Sequence, residues 1–139
     1  MTPRRHPAET IDTSVLVPAL LSRHPMHGPA RQGLVDVSRI PVHAMLECFS
    51  VLTRLPHPYR LAPGAAADAV AAVQLEPLGL APEAQRDVVT ALAQAGIGGG
   101  AVFDGLIGAT ARAHGLTLLT LDRRAGLTYE AVGASYRVL

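Results

Sequence analysis

At 139 residues the chain has the length of one domain, and 49% apolar against 17% charged residues excludes a disordered polymer. A net charge of +1 excludes attraction of nucleic acid by an overall basic field, so any such contact has to be local. All twelve basic residues are arginine, and the missing lysine argues against a Walker A loop, a haloacid-dehalogenase-like phosphatase, a receiver domain and Schiff-base chemistry.

Residues 1–7 read as a loose tail, followed by a first strand over 8–12. Asp12, Thr13 or Ser14 can cap the next helix, which either starts near Val17 or bends there because of Pro18. Residues 23–29 form a loop, and a second helix follows over 29–37. A short strand at 40–42 leads into a helix over 43–55, stopped by Pro56, His57 and Pro58. An Ala-rich helix is expected over 64–73, a weak strand over 76–80 and a helix over 82–95 that opens on Pro82. Gly96 and Gly98 to Gly100 read as a flexible joint before a helix over 101–114. The clearest strand spans 116–121, then come a helical turn near 123–131 and a last strand at 136–139. Some five strands alternating with helices predict an α/β sandwich in one domain, 1–139, around a mainly parallel sheet.

Cys48 is the only cysteine, which rules out an internal disulfide and a CxxC zinc site. Among Leu46, Phe49 and Val51 it reads as a small buried hydrophobe, with a nucleophilic role as the lesser alternative. No run of some 18 apolar residues suggests a membrane span, and the N-terminal segment reads as cytoplasmic, without a signal peptide.

Four of the eleven acids stand beside apolar residues or at strand ends. Asp12 ends the first strand and Asp122 ends the run Leu118-Leu119-Thr120-Leu121, where parallel sheets present ligands. Asp104 sits in an apolar helix with Gly108 and Ala111 one and two turns on, small enough to leave room for a ligand. Glu47 shares a helix face with His43, Ser50 and Arg54. Each acid also has a structural role open to it: a cap for Asp12, pairing with Arg54 for Glu47, helix surface for Asp104 and a turn for Asp122. If they converge, two carboxylates about 5 Å apart repel by roughly 3 kcal/mol at an effective dielectric near 20. Protons relieve such repulsion by raising pKa values, and a divalent cation relieves it better at neutral pH. Oxygen-only ligation selects Mg²⁺ or Mn²⁺.

In order and spacing these acids resemble the PIN-domain nucleases, and most of all the VapC-type toxins of bacterial toxin–antitoxin pairs. The carriers are Ile11-Asp12-Thr13-Ser14, Glu47 in His43-Ala44-Met45-Leu46-Glu47, Asp104 in Val102-Phe103-Asp104-Gly105-Leu106-Ile107-Gly108-Ala109, and Leu118 to Asp122, with Ala113-His114-Gly115 leading into the last of these. The resemblance covers nearly the whole chain. It implies a three-layer α/β/α sandwich and a metal-dependent endoribonuclease selective for single strands. Asp12 and Asp104 would be the principal ligands of Mg²⁺ or Mn²⁺, with Glu47 and Asp122 completing the pocket directly or through water. Thr13, Ser14 or Thr120 would orient a carboxylate or hold a water. The resemblance also implies a homodimer and a small antitoxin whose C-terminal segment blocks the cleft.

One departure stands out. Many relatives carry another acid a few residues after the fourth, whereas Arg123 and Arg124 follow Asp122 here and the next acid is Glu130. That favours one tightly held ion, with a second recruited by RNA. An acidic pocket repels phosphate, so RNA needs cations at the rim: Arg123 and Arg124 beside Asp122, and Arg23, His24 and His27 in the loop after the first helix. With two Phe, three Tyr and no Trp, base stacking is expected to fall to His or Arg. Two other readings stand beside the nuclease: a catalytically impaired RNA- or partner-binding module, and a nucleotide binder using Gly96 to Gly100 as a phosphate loop.

Overall fold

The computed structural model describes residues 7–139; six of the seven residues expected to form a tail lie outside them. Five short strands alternate with seven α-helices among the described residues. β1 (Glu9–Ile11), β4 (Thr117–Thr120) and β5 (Tyr136–Val138) form one parallel sheet in the order β1-β4-β5, with Ile11 level with Leu119. β2 (Arg39–Pro41) and β3 (Glu76–Leu78) form a second parallel pair. The expected sheet of about five strands is therefore divided three and two by its backbone hydrogen bonds. The Thr10 hydroxyl spans the division by donating to the Arg39 carbonyl at 2.7 Å.

The middle of this sheet is buried on both faces. Thr10, Ile11, Leu118, Leu119 and Thr120 are all fully inaccessible, which is why their segments read as apolar runs instead of alternating ones. The helices pack in two groups. α1 (Thr13–Leu20) contacts α2 (His27–Leu34) and α3 (Val42–Arg54), and α3 contacts α4 (Pro63–Ala72). α6 (Ala101–Ala113) contacts α5 (Pro82–Gln94) and α7 (Gly126–Ala131). This is the three-layer α/β/α sandwich.

Three expectations about local structure change. α1 begins at Thr13 and runs through Pro18. A helix ending at Leu20 places only two residues beyond the proline, and its free carbonyl accepts from Leu21 N at 3.2 Å and contacts the His27 ring at 2.8 Å. The phosphate-loop reading of Gly96 to Gly100 fails because helix α5, and no strand, leads into it. Gly108 leaves no room for a ligand beside Asp104. Its bare Cα admits α7, and a Cβ there would lie 2.9 Å from Tyr129 Cδ1 and 3.1 Å from Val132 Cγ2. Ala111 is likewise buried in the core.

That close approach yields a prediction. Gly108→Ala should destabilise the protein by about 1–3 kcal/mol, because the buried Tyr129 ring cannot swing away. Gly28→Ala, whose Cβ would meet nothing within 4 Å, should leave stability unchanged or slightly raised. Urea unfolding of the two variants measures both.

Candidate active site

Asp12 and Asp122 follow neighbouring parallel strands at their carboxyl ends. The Asp12 amide extends the β1–β4 ladder by donating to the Leu119 carbonyl at 3.1 Å. Glu47 projects from α3 and Asp104 from the first turn of α6, two helices in mutual contact. All four acids line one cleft of about 310 Å³, together with Thr13, Ser14 and His24.

Asp12 is 3% exposed. It stands at the N-cap position of α1, but its carboxylate caps no helix amide. It accepts instead from the Ser14 hydroxyl at 2.5 Å and, on its other oxygen, from the Tyr129 hydroxyl at 2.6 Å. Ser14 Oγ in turn accepts from Leu121 N at 2.8 Å and lies 3.2 Å from Thr120 Oγ1. Thr120 Oγ1 accepts from Asp122 N at 3.0 Å, so these side chains also fix the turn that carries Asp122. Burial pushes Asp12 above the usual carboxylate range, against the opposing hydrogen bonds of Ser14, Thr120 and Tyr129. Asp104 is pushed up to about 6, first by burial and then by the charges of Glu47, Asp12 and Asp122.

The residue profile of the PIN domain matches residues 10–130. The chain belongs to the PIN-domain family. Its relatives include ribonuclease VapC40 of Mycobacterium tuberculosis, 42% identical over 120 residues that span 86% of this chain and 90% of that protein. Ribonuclease VapC27 of the same species is 38% identical over 128 residues, 91% of this chain and 93% of that protein. The crystal structure of PAE2754 from Pyrobaculum aerophilum shares the fold, with a TM-score of 0.59 over 92% of this chain and 88% of that one at 16% identity.

The cleft of this PIN domain suits a hard, hydrated cation. Among the described residues, no three His, Cys, Asp or Glu side chains close around one point tightly enough to hold an ion unaided. Mg²⁺ needs no such cage, since it keeps several waters and binds through one or two carboxylates. Thr13 lines the same cleft, and its hydroxyl is buried without a hydrogen-bond partner. A buried polar atom left this way is placed to accept or donate to a water.

The other residues singled out in the sequence fall into two groups. His24 lines the acidic cleft and also an adjoining cavity that holds Arg23. Arg123 and Arg124 begin the short turn after Asp122, exposed at its edge and not lining the cleft. Asp122 accepts from Arg124 N at 3.0 Å, and the Arg124 guanidinium lies 3.7 Å from it. His27 does not reach the cleft, because its ring is bonded to Pro18. Glu47 pairs with His43 at 3.7 Å and not with Arg54. Glu130 accepts from the Tyr136 hydroxyl on the surface and is absent from the cleft. Cys48 is fully buried, and burial pushes its thiol up to about 12, which removes it as a nucleophile.

Tyr129 is the residue the sequence did not reveal. It lies 117 positions from Asp12 in a six-residue helix, and no spacing rule links the two. The available signal was Gly108, a gap in α6 that something large had to fill.

The raised value for Asp104 has a consequence for stability. Between pH 3.8 and about 6 the folded protein keeps a proton that the unfolded chain has released. The metal-free protein should therefore lose stability as pH rises through that window. Asp104→Asn should make that slope shallower, leaving the part due to Asp12, and be more stable than wild type at pH 7 by about 1 kcal/mol, a figure reduced for the partial solvation of the carboxylate. Urea unfolding over a pH series in chelator tests this, and parallel slopes for both proteins would contradict it.

Proposed function

We propose that this chain, acting as a single unit over 1–139, is a Mg²⁺- or Mn²⁺-dependent endoribonuclease that hydrolyses RNA phosphodiester bonds and serves as the toxin of a toxin–antitoxin pair. The observation that carries this reading is the gathering of Asp12, Glu47, Asp104 and Asp122 in one cleft, within a chain whose relatives are named ribonucleases. Asp12 and Asp104 would hold the ion, with Glu47 and Asp122 assisting directly or through water. A divalent cation in this position supplies charge neutralisation at the phosphate and a more acidic water.

The chain's own side chains do the rest. Ser14 and Tyr129 fix the Asp12 carboxylate, Thr120 braces Ser14 and the Asp122 turn, and Thr13 offers its free hydroxyl to a water. Arg23, Arg123 and Arg124 provide positive charge at the rim for the phosphates on either side, His24 adds a polar ring there, and His27 braces the loop that carries Arg23 and His24. In-line attack by water then breaks one P–O ester bond. With Glu130 held elsewhere by Tyr136, four acids support one tight ion, a second arriving with RNA. The partners of this reading are RNA, a small antitoxin whose C-terminal segment covers the cleft, and a second copy in a homodimer. No helix among the described residues is long and apolar enough to cross a membrane, and the proposed site of action is the cytoplasm.

A randomised single-stranded RNA, incubated with the protein and Mg²⁺ or Mn²⁺, tests the reading. Cleavage should occur, stop on chelation, and fall in Asp12→Asn by more than the 10- to 100-fold typical of losing an outer-shell partner. Circular dichroism should show that variant folded. Cleavage by Asp12→Asn at the wild-type rate would refute the assignment.

A further inference from the structure

The acidic cleft does not end at Glu47. On the far side of that residue a second cavity of about 470 Å³ opens, lined by His43, Leu46, Ser50, Arg54, Gly100 and Phe103. Its floor is one stripe of α3, because His43, Glu47, Ser50 and Arg54 recur at three- and four-residue steps. Its wall is the first turn of α6, where Phe103 directly precedes Asp104. The Phe103 and His43 rings are stacked, with centroids 5.0 Å apart and planes 10° from parallel.

That pair is built in an unusual way. An imidazole lies against part of one face of Phe103, yet the residue remains 51% exposed, which leaves ring surface open to solvent. Arg54 is exposed and joins no ion pair among the described residues. A Cβ on Gly100 would meet nothing within 4 Å, so the cavity is open at that end. A flat aromatic platform, a hydroxyl and an unpaired guanidinium thus line one cavity with Glu47, and the platform directly precedes Asp104. An apolar partner would gain little from Arg54, Ser50 and His43. A nucleotide matches the set: a base has a π-face for the ring, and its phosphate suits the guanidinium. The volume lies in the range of small-ligand sites.

We propose that this cavity is a nucleobase subsite, in which the base next to the scissile phosphate stacks on the open face of Phe103, backed by His43, while Arg54 holds the neighbouring phosphate. The inference rests on the nuclease reading and adds the substrate's path: the strand leaves the acids over α3. Stacking is tolerant of base identity, so the subsite sets where the chain is held and not which sequence is chosen. It also shifts the stacking role, expected of His or Arg, onto one of the two phenylalanines.

The test is cleavage of a short randomised single-stranded RNA with Mg²⁺, after wild type has been used to map the cut in one chosen oligonucleotide. Phe103→Ala should raise KM about tenfold or more, with a smaller change in kcat, and Phe103→Tyr should restore it. An abasic nucleotide beside the cut should cost wild type a similar factor and make Phe103→Ala no worse. Unchanged KM in Phe103→Ala, or an equal further loss on abasic RNA, overturns the subsite while leaving the nuclease standing. A shift in oligomeric state of Phe103→Ala on gel filtration without a change in KM overturns it too, by making this face an interface between copies. Absence of RNA cleavage by wild type would bring down both readings together.

Discussion

A carboxylate withdrawn from water must be neutralised or solvated by the protein. Asp12 is such a group, and the rest of the site is arranged around it. Two hydroxyls, one per oxygen, replace its lost hydration: Ser14 from the first turn of α1 and Tyr129 from α7. Those bonds lower its pKa, yet burial still outweighs them. The fold thus holds at a fixed point a carboxyl group whose ionisation the protein compensates only in part.

Three further acids sharpen the imbalance. Glu47, Asp104 and Asp122 come from different elements, and burial, followed by the charges of Glu47, Asp12 and Asp122, holds Asp104 near 6. Such a site costs stability while its charges are uncompensated. The hydrogen-bond chain from Leu121 N through Ser14 and Thr120 to Asp122 makes the two strand-end acids a rigid unit. Glu47 and Asp104 stand on helices that meet across the cleft.

Much of this was legible in the sequence, for definite reasons. Parallel strands buried on both faces read as apolar runs, so the acids that ended them marked the carboxyl edge of the sheet. Asp104 was conspicuous because it interrupts an otherwise apolar helix. What stayed hidden depends on approach between distant segments. Gly108 suggested empty space, whereas it is the seat of Tyr129. His27 was read as a rim cation, yet its Nδ1 is turned to the Pro18 carbonyl and the residue does not line the cleft. The exposure of Phe103 in an apolar helix depends on where α3 lies, which one-dimensional periodicity does not encode.

The central claim is that four carboxylates share one field that a dication relieves. The carboxyl carbon of Asp104, followed by NMR across pH with and without Mg²⁺, tests it most directly. Without the ion it should titrate near 6, and saturating Mg²⁺ should drive that value down well below the usual carboxylate range. A carboxyl that titrates at its ordinary value and ignores Mg²⁺ would contradict the account.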